Sequence, residues 1–302
     1  MIAFRNQLKT IVLLGVMSAL LVGLGVLVAP GYLYLFAALA LAMNLAAYFF
    51  SDRIVLRMHG AREVGPRQAP ELFAMVEELA ARAGIPEPRV FVIPEEQPNA
   101  FATGRNPKHA VVAVTEGIVR LLDRRELRGV LAHELAHIKN RDILIASLAA
   151  AAASLITYVA HAVSLGALFG GSHDSDGESS SAGQGLLVAL VAPLAATLVQ
   201  LGISRSREFL ADASGAETCG DPEALASALV KLERASEVVP ASQARPATAS
   251  LFIVNPFGPM ETVARWFSTH PSTAQRVRRL RALAEERAFR PRWQRELASG
   301  GR

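Results

Sequence analysis

The sequence has a single cysteine, Cys219, in 302 residues. No internal disulfide can form, so the polar parts of the chain need no oxidising compartment. A strong charge balance is lacking too. The net charge of +4 is too modest to argue for nucleic-acid binding, and no zinc-finger or RNA-recognition signature accompanies it. No internal repeat is apparent. Acidic and basic residues are missing altogether from four stretches, residues 11–29, 31–50, 143–170 and 185–203. Each reaches the roughly 20 apolar residues needed to cross a hydrocarbon core about 30 Å thick. They account for a hydrophobic content of 51% and a mean hydropathy of +0.29, concentrated in blocks as in an integral membrane protein. Arg5 and Lys9 precede the first block as in a secretory signal, but no small-residue cleavage site separates it from the second. Pro193 in the fourth block is tolerable where neighbouring helices satisfy the freed carbonyl.

Basic residues are also absent from the two connectors between these blocks. The turn around Pro30 has none, and residues 171–184 carry Asp174, Asp176 and Glu178 instead. All 31 lysines and arginines fall in the N-terminal tail, in residues 51–142 and after residue 203. The positive-inside rule then places both termini and both polar segments in the cytoplasm. The expected organisation is a transmembrane hairpin over residues 1–50, a catalytic part over 51–142, a second hairpin over 143–203 and a further catalytic part over 204–302. His161, well along the third span, reads as an interfacial imidazole near the outer surface.

In the polar parts, residues 71–83 have helical periodicity through Leu72, Met75, Val76 and Leu79. Residues 89–93 and 109–115 read as short strands, with the turn-bounded segment Gln97 to Arg105 between them. Thr115 can cap the following helix. Residues 125–140, 204–215, 222–237 and 273–288 read as helices, the last very basic, and residues 240–259 as irregular.

The helix at 125–140 carries His133-Glu-Leu-Ala-His137. Two histidines four apart share one helical face, with Cβ atoms roughly 5–6 Å apart, so both imidazoles can reach one ion. Glu134 projects beside them, placed to reach a water rather than the ion. Leu127, Val130, Leu131, Leu135 and Ile138 keep the helix amphipathic. A catalytic zinc takes three protein ligands and keeps one position open. The third span leaves the cytoplasmic face just after His137, and the fourth returns just before Glu208. An antiparallel hairpin would therefore bring Glu208 to the histidine pair, with Asp212 one turn further on to accept a hydrogen bond from a ligand histidine.

Together with Ser204-Arg-Ser-Arg-Glu-Phe-Leu-Ala-Asp212, Pro98-Asn-Ala-Phe-Ala-Thr-Gly104 and Thr269-His-Pro271, the zinc motif resembles those of the HtpX membrane metalloproteases, relatives of the CaaX prenyl-protein endopeptidases. The resemblance covers nearly the whole chain. It implies an α+β membrane protein with four transmembrane helices and a zincin-like, mostly helical cytoplasmic domain containing a small sheet. It further implies one Zn2+ per chain, and a stress-induced endopeptidase acting on membrane proteins in quality control.

On this reading His133, His137 and Glu208 bind the metal, and Glu134 moves the proton of the attacking water. His270 assists the oxyanion by resemblance to the family's His-Pro motif; from the residues alone it reads equally as a capping or packing histidine. Asn99, Ala100, Phe101, Ala102 and Thr103 look like an exposed edge to which an extended substrate could add by backbone pairing. Arg205 and Arg207 are placed to meet anionic headgroups of the bilayer. Three alternatives make different demands. A CaaX-type processing peptidase would need a larger intramembrane chamber than four spans enclose. A non-catalytic adaptor or chaperone would keep zinc without hydrolysis, and a transporter would need paired charges within its spans.

Overall fold

The computed structural model describes residues 8, 11–16, 18, 19, 22, 30–149, 205–238, 251–253 and 271–289. Most of the third span expected from the sequence, the whole of the fourth, His161 and His270 lie outside them.

After a 3-10 turn at Pro30–Tyr32, helix α1 runs over Leu33–Met58. It does not stop at residue 50, the expected end of the second span, but continues past Asp52, Arg53 and Arg57. At 26 residues it is long and apolar enough to cross a membrane, and it exposes Tyr34, Leu35 and Leu41 by more than half. Near its middle, the Asn44 amide donates to the Leu14 carbonyl at 3.1 Å and to Ser18 Oγ at 2.6 Å. Leu13 and Ala47 pack with Ile145, Leu148 and Ala149, so the described parts of three expected spans share one apolar cluster.

The polar part is built on four strands: β1 (Arg62–Glu63), β2 (Arg89–Ile93), β3 (Ala100–Thr103) and β4 (Val111–Thr115). Their order is β1-β2-β4-β3, with β2 and β4 parallel and β3 antiparallel to β4. β1, only two residues long, was not expected from sequence, whereas β3 forms within the segment Asn99 to Thr103 that reads as an edge. Helix α2 (Pro70–Ala83) buries Leu72, Met75, Val76 and Leu79 as its periodicity requires, and Gly84 in the left-handed region ends it. Thr115 caps α3 (Glu116–Leu121), accepting from the Ile118 N–H at 3.2 Å.

Helix α4 (Arg124–Lys139) forms the centre of the fold and carries the zinc motif. Asp123 and Glu126 close a capping box, each side chain accepting from the other's backbone N–H at 2.9 and 3.1 Å. The buried Glu126 carboxylate also accepts from Ser227 and Lys231, both at 2.7 Å, which fastens α6 (Pro222–Val238) to the start of α4. Val130, Leu131, Leu135 and Ile138 are wholly inaccessible. Burial of each such side chain contributes about 1.5–3 kcal/mol, so the motif helix is held on all sides by the core. Helices α5 (Arg205–Cys219) and α7 (Thr273–Phe289) complete this layer.

Candidate metal centre

His133 and His137 present their Nε2 atoms to one another at 3.2 Å, with ring planes at 88°. Glu208 Oε2 lies 3.7 Å from His133 Nε2 and its Oε1 lies 3.7 Å from His137 Nε2. These are the three residues whose donor atoms all lie within 4.8 Å of one another, the one such group among the described residues. Ligand atoms at about 2.0–2.1 Å from a common ion in a tetrahedron are roughly 3.3 Å apart. The spacing therefore fits a small divalent cation with little adjustment of the Glu208 side chain.

Two further carboxylates lie beside the Nδ1 atoms of the imidazoles. His133 Nδ1 is 3.0 Å from Asp212 Oδ1, and His137 Nδ1 is 3.2 Å from both oxygens of Asp142. A carboxylate that accepts from Nδ1–H leaves Nε2 of that ring free to ligate. Burial lowers the pKa of His133, and Arg276 and His137 add to that, while Asp212 opposes them. Burial works the same way on His137, but Asp142, Glu208 and Glu134 outweigh it and push its pKa up to about 10. Three carboxylates thus demand a positive charge at His137, and a bound cation would supply it.

Glu134 points past the histidines towards the sheet. Its Oε2 accepts from the Ala102 N–H at 2.9 Å, on the side of β3 that no strand occupies among the described residues. Burial raises its carboxyl to about 8; Glu208 adds to the rise, and His137 and the Ala102 N–H oppose it. The strand is an edge by pairing, but it is not exposed. Ala100, Phe101, Ala102 and Thr103 are all buried, because α4 lies along one side and the first turns of the helix after Asp142 cover its end. Both ends are also tethered. Asn99 accepts from the Ile253 N–H at 3.2 Å, and Thr103 Oγ1 is 2.7 Å from Ser147 Oγ.

Two residues beyond those singled out in the sequence complete the site. Asp142 is one. The other is Arg276 of α7, 1% exposed, which donates to both oxygens of Asp212 at 2.9 and 2.7 Å and to the Ile253 carbonyl at 2.8 Å. Burial raises the Asp212 carboxyl, yet Arg276 and His133 more than offset it and hold the pKa at about 2. Gly215 explains how α5 comes so close to α4. A Cβ there would stand 2.9 Å from both Cα and N of His133. Gly215→Ala is therefore expected to cost about 1–3 kcal/mol through overpacking and to weaken metal binding by moving Glu208 and Asp212 away from His133. Denaturation melts and zinc titration of the variant would check this; wild-type values in both would contradict it.

Comparison with known proteins identifies the family. The profile of peptidase family M48 matches residues 66–284. A "Protease HtpX homolog" of Thermococcus kodakarensis is 51% identical over 280 residues, covering 92% of this chain and 96% of its own. Homologues of the same description from Syntrophobacter fumaroxidans and Pyrococcus furiosus are each 50% identical, covering 92% of this chain and 99% and 96% of their own. Among solved structures, the crystal structure of S. mikatae Ste24p matches at a TM-score of 0.48 and 20% identity, over 92% of this chain and 66% of that one. The chain belongs to peptidase family M48 and, within it, to the HtpX proteases.

Proposed function

We propose that the chain is a zinc-dependent endopeptidase of the cytoplasmic membrane that hydrolyses misfolded or damaged membrane proteins. One observation carries the reading: two imidazole Nε2 atoms and a carboxylate converge on one point, with Glu134 between that point and the open side of β3. His133, His137 and Glu208 hold the zinc, and Asp212 fixes the tautomer of His133. Two nitrogens and one carboxylate oxygen form a donor set suited to catalytic zinc. When bound, zinc supplies Lewis acidity and makes water a competent nucleophile near neutral pH.

The protein's own groups do the rest. Glu134 Oε2 takes the proton of the attacking water and delivers it to the leaving amine nitrogen; a carboxyl raised towards neutrality suits both halves of that task. The main chain of β3 pairs with an extended substrate at Ala102, which demands little of the substrate's side chains and so suits varied damaged chains. To reach it, the substrate displaces the Ala102–Glu134 hydrogen bond. His270 donates to the developing oxyanion, a role carried by the Thr269-His-Pro271 motif.

The membrane arrangement rests on charge and hydropathy: spans at 11–29, 31–50, 143–170 and 185–203, with both polar parts and both termini cytoplasmic. Its supports are the length of α1, the one-sided distribution of Lys and Arg, and the packing of Leu13 and Ala47 against the start of the third span. Substrates would then be met where they enter the bilayer, as stress-damaged membrane proteins are.

The test is hydrolysis of unfolded casein by detergent-purified full-length protein. Activity should disappear with a chelator and return with zinc. Stoichiometric zinc without any hydrolysis would refute the reading in favour of a metal-stabilised adaptor.

A further inference from the structure

The C-terminus of α4 is closed in a way that recruits a side chain to the metal site. Asn140 is the last helical cap residue, and Arg141 follows with φ of 57°. The Arg141 N–H donates to the Ile138 carbonyl at 3.1 Å and the Asp142 N–H to the His137 carbonyl at 3.2 Å. This is the Schellman pattern, in which the second residue after the cap bonds back to the residue three before it. In most such caps those two positions also meet through an apolar contact. Here they are Asp142 and His137, and they meet as carboxylate and imidazole at 3.2 Å. Asp142 is 4% exposed.

The same residue opens the next helix. Its carbonyl faces the Ala146 N–H at 3.4 Å, and residues 143–149 are helical. That helix is in turn fixed to β3, because Ser147 Oγ meets Thr103 Oγ1 at 2.7 Å and accepts from the Gly104 N–H at 3.3 Å. The direction of the Asp142 carboxylate is therefore set from both sides, by the end of the motif helix and by the base of the following one.

We infer that Asp142 is a positioning residue for His137. Its carboxylate holds Nδ1–H and so keeps the Nε2 lone pair on the metal point, as Asp212 does for His133. The two ligand histidines are thereby oriented from two different elements, one from α5 and one from the turn that leads into the helix after Asp142. The inference rests on the metal-site reading above.

Zinc affinity of the metal-depleted full-length protein in detergent, measured by competition with a chromophoric chelator, tests it. Asp142→Ala should bind zinc about 10–100-fold more weakly, the range for losing a hydrogen-bond partner of a ligand histidine. Asp142→Asn keeps the backbone cap, the side-chain shape and an acceptor oxygen but loses the charge, and should fall between Asp142→Ala and wild type. Both should also alter the visible d–d spectrum of the cobalt-loaded protein. If wild type binds zinc and Asp142→Ala binds it equally well with an unchanged cobalt spectrum, the role of Asp142 is refuted while the metal site stands. Wild-type protein that binds no zinc would overturn the metal-site reading, and this inference with it.

Discussion

Glu134→Gln is expected to lower casein hydrolysis by roughly 10²–10⁴-fold, the usual worth of a positioned general base, while zinc content stays at the wild-type level. The geometry explains the separation of the two effects. Glu134 shares α4 with both histidines, yet its Oε2 is bonded to the Ala102 N–H rather than directed at the ligand cluster. An amide of the same shape can still occupy the space beside β3, but it cannot take a proton. Single-turnover cleavage and zinc analysis on the same preparation would check this. Hydrolysis at the wild-type rate would remove Glu134 from the chemistry; loss of zinc in parallel would mean that it helps hold the ion.

The second large effect is expected at Arg276. Arg276→Met leaves the Asp212 carboxylate buried without its main partner, and breaking a buried pair from one side costs about 3–5 kcal/mol. The pH dependence should move with it. In the wild type Asp212 is held at about 2 against an ordinary value of 3.8. Its contribution to stability is therefore complete above 3.8 and is lost as pH falls through 2. Without the guanidinium the folded-state value rises, so acid unfolding should begin at higher pH. Thermal melts of the variant across a pH series would show this. An unchanged melting temperature at neutral pH would mean that the Asp212–Arg276 pair is dispensable to the fold.

Arg276 also shows what could not be read from sequence. Local patterns placed the helices well. The periodicity of Leu72, Met75, Val76 and Leu79 sets the buried face of α2, and Thr115 caps where its position suggests. The convergence of Glu208 on the histidines followed from chain direction through two expected spans. Arg276, by contrast, is one of several arginines on a basic helix, and nothing nearby distinguishes it from Arg278, Arg279 or Arg281. Only the fold brings it 2.7 Å from a residue 64 positions away. Gly215 was silent for the same reason, since its lack of a side chain matters only because α5 crosses α4 at His133. Asp142 was hidden at a helix end, where the cap geometry and not the spacing aims its side chain. The edge strand was misjudged in one respect. Turn residues on both sides suggested exposure, whereas tertiary packing buries Ala100 to Thr103 and tethers both ends.

The account depends on Glu208 joining two imidazoles from another helix around one ion, and zinc binding by Glu208→Gln beside wild type measures that most directly. Wild-type protein should hold one zinc per chain, and the variant should bind it more than about 100-fold more weakly, beyond the loss expected for a residue that only orients a ligand. One zinc per chain at wild-type affinity in Glu208→Gln would contradict the proposed centre.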